Sequence, residues 1–445
     1  MLSDEGRAVQ TLTPSMVKRV FTCGLVVSAF GGSRPPLYRC PMTLADRERA
    51  GASLPRAGAR SPFVRLAALL AEIAPGKAAI NLALGEPQHP IPPFVGPVIA
   101  AHVAQFGRYP PGKGTDRFRG AAAGWLGRRF ALPRPLDPQI EVAVLNGTRE
   151  GLFLAALAAK GWVTPRAGRP VILLPNPFYA VYAAGAAAAD CEPIYLDATR
   201  RTGFLPDLEG IDPALLSRTV AFYLASPSNP QGAVADRRYL GQAAALAQRF
   251  GFLLMSDECY SEIFYGGEPP AGALEVAGPD FANVVVFHSL SKRSNLPGLR
   301  VGFAAGDGRF MASYGELRNI AAPQVPGPAQ EAAVAALADE AHVAANRRLY
   351  EAKFALADEI LGERYGYRHP AGGFFLWLDV KAQGGGEAAA LALWREAGLR
   401  VLPGRYIAHD QMDGTNPGAD FIRVAMVQDQ ETTAEALHRL VAVLG

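Results

Sequence analysis

Beyond residue 60, short apolar runs alternate with longer stretches in which apolar residues recur at helical spacing. The first helical stretch, residues 62–74, follows a Ser-Pro pair. Short apolar runs bounded by turn residues are typical of strands buried on both faces of a parallel sheet. With Ala-rich helical stretches between several of them, they predict an α/β fold with a large, doubly wound, mostly parallel sheet. The runs are residues 142–145, 171–174, 193–196, 220–224, 252–256 and 284–287.

The pattern changes after Pro328. An Ala- and charge-rich helical stretch continues to about residue 361, and a Gly-flanked apolar run follows at residues 373–380. This order of elements predicts a smaller α+β domain, joined to the first through the Pro-rich residues 322–328. The predicted organisation is a loose N-terminal extension (1–55), a large domain (96–325) and a small domain (56–95 and 326–445).

Composition and charge narrow the class of protein. The chain has 445 residues, 49% hydrophobic and 19% charged, which is the balance of a chain that buries a substantial core. Its net charge of +3 is too small for a protein that binds nucleic acid by neutralising phosphates. Nine basic and four acidic residues lie in residues 1–60, which leaves 35 against 37 in the rest. A nearly neutral chain beyond residue 60 suits an enzyme that acts on small molecules, and we expect no nucleic-acid partner.

Cysteine usage and the N-terminal sequence argue against a secreted or membrane protein. The four cysteines are widely spaced without a C-x-x-C pair, which excludes a disulfide framework and disfavours zinc, so we expect no metal. The apolar run 21–30 is far too short to cross a bilayer. Acidic residues upstream and the lack of a convincing cleavage site argue against a signal peptide. We expect a cytoplasmic protein with no membrane partner, and residues 1–55 as a loose extension or a mis-chosen translation start.

The sequence does not contain a complete nucleotide-binding motif. Residues 107–114, GRYPPGKG, satisfy most of the phosphate-loop pattern G-x-x-x-x-G-K. Pro110 and Pro111 remove backbone donors from that loop, Gly114 replaces the hydroxyl that binds magnesium, and no strand precedes it. A nucleotide-binding protein stays an alternative that magnesium-dependent ATP binding would revive. No G-x-G-x-x-G follows a strand and G-x-S-x-G does not occur, so dinucleotide and serine-hydrolase chemistry lack support.

One lysine differs from the others. Lys292 directly follows the apolar run 284–287. The carboxyl end of a buried strand is where α/β folds bind ligands, and partial burial lowers the pKa of a lysine towards nucleophilic use. The other six are expected in the tail, in turns or at solvated positions: Lys18, Lys77, Lys113, Lys160, Lys353 and Lys381.

Polar side chains also follow two neighbouring apolar runs. Asp257 and Tyr260 come after run 252–256, and Asn229 comes after run 220–224. Each residue alone is more typical of a helix cap or a turn. Together with Lys292, they predict one site at the ligand-binding edge of the sheet.

From about Pro62 to the C-terminus, a spaced set of motifs resembles one family, the pyridoxal-phosphate-dependent class I/II aminotransferases of fold type I. Its fold and its cofactor, pyridoxal 5'-phosphate, are what the resemblance implies, with residues 96–325 as the cofactor-binding domain. The motifs are NLALGEP around Gly85, RYPPGKGTDRFRG with Tyr109, NGTRE at 146–150, PNPFYAVY around Tyr179, SPSNPQG, SDECY, SLSKRSNLPGLR, and FIRVA around Arg423.

The resemblance assigns catalytic and ring-binding roles. Lys292 would bond to the cofactor and later move the substrate's proton, and Asp257 would keep the ring nitrogen protonated. Tyr260 and Asn229 would hydrogen-bond the phenolic oxygen of the ring. Tyr179 would stack on the ring, the alternative being a tyrosine that only packs in the core.

The resemblance also implies which residues bind the phosphate of the cofactor. NGTRE lies between a strand and a helix, so backbone N–H groups at the helix start would face the phosphate. Tyr109 would reach it from the neighbouring subunit, which implies a homodimer with shared active sites. Thr115 and Asp116 stand where the family usually has Ser-Pro, a departure in the loop that places Tyr109. The other phosphate-binding candidates are Gly147, Thr148, Arg149, Ser289, Ser291 and Arg300.

For the substrate, the resemblance implies ping-pong transfer between small-molecule amino and keto acids. Arg423 would bind the α-carboxylate, with Gly85 and Asn229 beside it. The runs SLSKRSNLPGLRVGF, SDECYSEIFY, NLALGEPQHP and NRRLYEAKF look most like bacterial N-succinyldiaminopimelate aminotransferases. That subfamily implies N-succinyl-L,L-2,6-diaminoheptanedioate and 2-oxoglutarate as the reacting pair, in lysine and peptidoglycan biosynthesis.

Three further alternatives use the same or a related framework. An aspartate or aromatic aminotransferase would differ only in substrate. A C–S β-lyase would convert a thioether amino acid to pyruvate and ammonia without a keto acid acceptor. A pyridoxal-sensing transcription regulator would need a recognition helix before the domain, and residues 1–60 are too often broken by Gly and Pro for one.

Overall fold

The computed structural model describes residues 61–165 and 168–445, so the predicted extension at residues 1–55 lies outside the described residues. The strands are β1 (Ile80–Asn81), β2 (Val142–Leu145), β3 (Val171–Asn176), β4 (Glu192–Asp197), β5 (Thr219–Ala225), β6 (Leu253–Asp257), β7 (Val284–Ser289), β8 (Gly302–Gly306), β9 (Phe375–Asp379), β10 (Leu399–Arg400), β11 (Leu402–Pro403) and β12 (Phe421–Ala425). The α-helices are α1 (Pro62–Leu70), α2 (Val95–Ala101), α3 (Asp116–Arg129), α4 (Thr148–Trp162), α5 (Ala180–Ala188), α6 (Pro213–Arg218), α7 (Arg237–Phe250), α8 (Leu290–Arg293), α9 (Gly308–Ala321), α10 (Gly327–Ala338), α11 (Ala341–Leu361), α12 (Gly386–Ala397) and α13 (Gln430–Leu444).

The largest sheet has seven strands in the order β2-β8-β7-β6-β5-β3-β4. Neighbours are parallel except at β8, which runs antiparallel to β2 and β7. Val171 and Leu173 of β3 pack into one apolar core, and Ile172 and Leu174 pack into another. Because successive side chains point to opposite faces, burial on both faces requires a continuous apolar run. The predicted α/β class with a mostly parallel sheet is confirmed.

Two details differ from the pattern along the sequence. Strand β8 reads Gly-Phe-Ala-Ala-Gly, so four of its five residues are glycine or alanine, which have low strand propensity. A side chain at Gly302 would lie 2.6 Å from the carbonyl oxygen of His288, so the close approach of β7 and β8 requires glycine there. The helical stretch predicted to continue to residue 361 is two helices, α10 and α11, interrupted where Asp339 accepts a hydrogen bond from the backbone of Ala341.

The C-terminal part of the chain forms two smaller sheets. Strands β11, β12 and β9 are antiparallel, and β1 pairs in parallel with β10. Their apolar side chains share a core with α11, α12 and α13, including Phe354, Leu393 and Leu440. Leu82, directly after β1, belongs to the same core. Assignment of residues 56–95 and 326–445 to a domain of their own stays a prediction.

Within residues 61–165 and 168–445, no helix is long and apolar enough to cross a membrane. Nor does that part of the chain bring three or more His, Cys, Asp or Glu side chains together in a way that could hold a metal ion. Cys191 and Cys259 are free thiols.

Candidate active site

The residues predicted to share a site follow three adjacent strands of the large sheet. Strands β5, β6 and β7 are parallel neighbours, with Ala225 paired to Asp257 and Asp257 paired to Phe287. Asn229 follows β5, Asp257 ends β6, and Lys292 lies in α8 directly after β7. The topology therefore brings these residues to one edge of the sheet.

The amine of Lys292 lies among backbone and aromatic groups. Its Nζ donates a hydrogen bond to the carbonyl of Gly85 and lies 5.3 Å from the ring centre of Phe374. Burial lowers the pKa of Lys292 to about 8, the charges of Arg423 and Arg300 act in the same direction, and nearby Cys259 and Glu86 oppose them. The unprotonated amine, which is the form that can accept a proton, is therefore accessible close to neutral pH.

Asp257 is a buried carboxylate held by two donors. Its Oδ2 accepts a hydrogen bond from the hydroxyl of Tyr182 at 2.6 Å, and its Oδ1 accepts one from the backbone N–H of Cys259 at 3.2 Å. Burial raises the pKa of Asp257, while hydrogen bonds from Cys259 and Tyr182 lower it. Tyr182, on α5, stacks on Tyr223 with ring centres 4.4 Å apart. Tyr182 is not among the residues predicted for the site, although the motif PNPFYAVY contains it three residues after Tyr179.

The start of α4 and Arg300 form a cationic corner. Gly147 precedes the helix with φ +73°, and a Cβ on it would lie 2.1 Å from Nη2 of Arg300. No ion pair of Arg300 occurs among the described residues, where its Nη1 donates to the carbonyl of Pro297. Thr148 is the first helical residue and is buried, with its Oγ1 3.2 Å from Sγ of Cys259. A helix N-terminus beside a guanidinium favours an anion.

Three other residues predicted at the phosphate lie around this corner. Arg149 turns its exposed side chain to Tyr179, where its Nε donates to the hydroxyl at 2.8 Å. Ser289 and Ser291 are buried at the start of α8, and the backbone N–H of Ser291 donates to Oγ of Ser289 at 3.1 Å. The hydroxyl hydrogen of Ser289 is therefore free to turn towards a ligand.

Arg423, on β12, is a buried cation whose hydrogen-bond acceptors are neutral. Its Nη2 donates to the carbonyl of Ala83 at 2.7 Å, and its Nη1 donates to Oδ1 of Asn229 at 3.0 Å. Its Nε is buried without a hydrogen-bond partner. Burial lowers the pKa of Arg423 to about 10, with Tyr260 opposing. A buried guanidinium with neutral acceptors suits a carboxylate ligand.

Gly85, Tyr260 and Tyr109 complete the predicted set. A Cβ on Gly85 would lie 2.6 Å from Cζ of Phe375, so the chain passes too close there for a side chain. Tyr260 packs edge-on against Phe374, and burial raises its pKa well above the usual value. Tyr109 is 96% exposed, so within one chain it does not join the other site residues.

Comparisons with known proteins identify the family of this chain. A family model described as aminotransferase class I and II matches residues 77–440. An LL-diaminopimelate aminotransferase of Syntrophobacter fumaroxidans is 32% identical over 384 residues, which cover 85% of this chain and 95% of that protein. An aminotransferase from Neisseria meningitidis superposes with a TM-score of 0.81 at 35% identity, covering 87% of this chain and 98% of that one.

A third relative bears on the subfamily. A probable N-succinyldiaminopimelate aminotransferase from Thermus thermophilus superposes with a TM-score of 0.75 at 25% identity, covering 86% of this chain and all of that one. The matched model spans most of the chain and includes all of the candidate site residues. The chain therefore belongs to the class I and II aminotransferases, a family of enzymes that use pyridoxal 5'-phosphate as their cofactor.

Proposed function

We propose that this aminotransferase moves an amino group between N-succinyl-L,L-2,6-diaminoheptanedioate and 2-oxoglutarate. The observation that carries the proposal is the arrangement of Lys292 and Arg423, which donate to the carbonyls of Gly85 and Ala83 on one short segment. That arrangement offers a proton acceptor and a carboxylate anchor to one α-amino acid. The sequence runs quoted above favour the succinylated substrate, while curated relatives named for LL-diaminopimelate favour the same diamino diacid without its succinyl group.

The side chains fit the cofactor in charge and shape. The space beside Gly147 that a Cβ would fill suits a phosphate held by Arg300 and the start of α4. Asp257 would hold the proton of the ring nitrogen, and Tyr179 would pack on the ring face. When bound, pyridoxal phosphate draws electrons away from the α-carbon of the substrate.

Asn229 is oriented by Arg423. Because its Oδ1 accepts from the guanidinium, its Nδ2 is left to donate, as a contact with the phenolic oxygen of the ring requires. Tyr260 would donate to the same oxygen.

The substrate's α-carboxylate would bind the donors of Arg423 that its two neutral acceptors leave free, which include the buried Nε. Hydrogen bonds between a guanidinium and a carboxylate are shorter and stronger than those to a carbonyl, and they fix the orientation of the amino acid. Nζ of Lys292 would then accept the proton from the α-carbon. Its pKa of about 8 matches that task better than the usual value of a lysine.

The same proposal includes a homodimer with shared active sites. Val103, Phe106, Tyr109 and Ile320 are 59%, 58%, 96% and 87% exposed. Three of them lie within residues 103–109, and several large hydrophobic side chains exposed on one short stretch are typical of a surface that another chain covers. We expect analytical ultracentrifugation to give a dimer, and a monomer would contradict this part of the proposal. The cytoplasmic location stays a prediction.

The test is glutamate-dependent amination of N-succinyl-2-amino-6-oxopimelate by the purified protein. Tetrahydrodipicolinate, the unsuccinylated counterpart, is assayed beside it, and Lys292→Ala and Lys381→Met are the variants. We expect turnover of the succinylated substrate by the parent and by Lys381→Met, whose lysine is exposed, and none by Lys292→Ala.

Other outcomes distinguish the alternatives. A higher kcat/KM for the unsuccinylated substrate would replace the succinylated one with LL-diaminopimelate. A preference for aspartate or aromatic amino acids would overturn the substrate assignment. Pyruvate and ammonia released from a thioether amino acid without a keto acid acceptor would indicate a β-lyase.

A further inference from the structure

A second lysine is buried outside the proposed catalytic set. Lys353, on α11, is 1% exposed, so the expectation that it is solvated is wrong. Its Nζ lies 2.8 Å from Nε2 of His89 and donates to the carbonyl of Gln428 at 2.9 Å. It also lies 4.5 Å from the ring centre of Tyr350. His89, which precedes α11 in the sequence, and Gln428, which follows it, therefore both contact this amine.

The hydrogen bonds around His89 set its protonation. Nδ2 of Asn346 donates to the carbonyl of Lys292 at 3.3 Å, so Oδ1 of Asn346 is the acceptor facing His89. Nδ1 of His89 lies 2.7 Å from that oxygen and therefore carries the proton. Nε2 of His89 is then the acceptor for Lys353. One continuous chain of hydrogen bonds joins Lys353 to the backbone of Lys292.

His89 ends a stretch that we name the crossing segment, residues 82–89. The carbonyl of Leu82 accepts from the backbone N–H of Ala425 at 2.8 Å, which fixes the segment to β12. Further along, the carbonyls of Ala83 and Gly85 accept from Arg423 and Lys292. The contacts of His89 hold the other end of the same stretch.

We propose that His89 and Lys353 are positioning residues that fasten the crossing segment over the active site and thereby fix Arg423 and Lys292. The proposal rests on the proposed function, because it concerns how that site is assembled. A loss of either side chain frees the His89 end of the segment and leaves the two carbonyls restrained only from the Leu82 end. The two residues act through the segment and contact neither substrate nor cofactor.

The charge states agree with this role. Burial lowers the pKa of Lys353 to about 7, with Asp429 opposing. Burial lowers the pKa of His89, the charge of Lys353 adds to that, and the hydrogen bond with Asn346 opposes it. A neutral His89 accepts from Lys353, whereas a protonated one would place two donors against each other. The fastening is therefore present above the pKa of His89 and lost as the pH falls through it.

The experiment compares the holoenzymes of the parent, His89→Gln, Lys353→Met, the double variant and the control Lys381→Met. We expect KM for the amino donor to rise roughly tenfold in each single variant, as loss of a buried hydrogen-bond partner implies. Because the two side chains act as one unit, the double variant is expected to be no worse than the singles. In the His89 and Lys353 variants, amide hydrogen exchange within residues 82–89 is expected to accelerate. In His89→Gln, the decrease of kcat/KM at acid pH that is due to protonation of His89 is expected to disappear.

Unchanged KM and unchanged exchange in residues 82–89 would overturn the proposal. Exchange that accelerates throughout the chain, together with a lower Tm, would also overturn it, because it would indicate a purely structural role. If the parent itself transfers no amino group, the proposed function fails, and exchange in residues 82–89 alone decides whether the pair fastens the segment.

Discussion

Replacing Tyr182 with Phe removes one hydroxyl from the surroundings of Asp257 and leaves the ring in place. That hydroxyl donates to Asp257 Oδ2 at 2.6 Å, and Tyr182 is 1% exposed. A hydrogen bond to a charged group contributes roughly 1.5–3 kcal/mol. Since one pKa unit corresponds to about 1.4 kcal/mol, its loss raises the pKa of Asp257 by about one to two units. Burial already raises this pKa, so the variant adds to an existing shift.

The change is measured through cofactor binding. Only ionised Asp257 forms a charge pair with a protonated ring nitrogen, so affinity for pyridoxal phosphate falls as the pH falls through the pKa of this carboxyl. In Tyr182→Phe, this fall is expected to begin about one to two pH units higher than in the parent. Titration of the apoprotein with pyridoxal phosphate over a series of pH values, followed by absorbance, gives Kd at each.

Tyr223→Phe is the matched control. Tyr223 is fully buried and stacked on Tyr182, and its hydroxyl donates to the carbonyl of Leu152 at 2.6 Å. Both variants lose one buried hydroxyl, but only Tyr182 is bonded to Asp257. Coincident plots of Kd against pH for the two variants would refute the reasoning.

Gly147→Ala places a Cβ 2.1 Å from Nη2 of Arg300 at φ +73°, and strain of this kind is expected to raise Kd for pyridoxal phosphate roughly tenfold; an unchanged Kd would contradict the proposed phosphate cradle. The rate of amino transfer at saturating substrate is expected to rise with pH through about 8, because Lys292 accepts a proton only when it is unprotonated; a rate that is flat over this range would argue against that role. Lys353→Met is expected to have a higher free energy of unfolding than the parent at pH 7, and the difference is expected to shrink as the pH rises to 10.5. The reason is that the amine of Lys353 has a pKa of about 7 when buried and 10.5 when unfolded, so that in this range unfolding of the parent is favoured by uptake of a proton. Chemical denaturation at several pH values measures the difference.

The convergence of Asn229, Asp257 and Lys292 could be predicted from the sequence for a physical reason. Buried parallel strands read as apolar runs, and a polar residue directly after such a run has to lie at the carboxyl edge of the sheet. The sequence separations do not matter, because the adjacency of β5, β6 and β7 brings their ends together. Strand β8 was not predicted, because small residues occupy it where it approaches β7 and they do not form a large apolar run.

Side-chain partnerships could not be predicted in the same way. Tyr182 lies 75 residues before its partner Asp257, and nothing local distinguishes it from a core tyrosine. Lys353 lies on the same buried face of α11 as Tyr350 and Phe354, but the partners of its amine, at residues 89 and 428, come from elsewhere in the chain. Such pairs depend on how distant elements dock, which the periodicity of one helix does not report.

The carbonyl partners of Arg423 also bear on discrimination between amino acids and plain amines. Among the described residues, this buried guanidinium bonds only to neutral oxygens and its Nε has no partner, so its charge is compensated only when a ligand brings a negative charge. An amino acid brings a carboxylate to the remaining donors, whereas a decarboxylated amine brings none and leaves the charge uncompensated. We infer that rejection of monoamines is built into the resting state of the protein and needs no steric barrier.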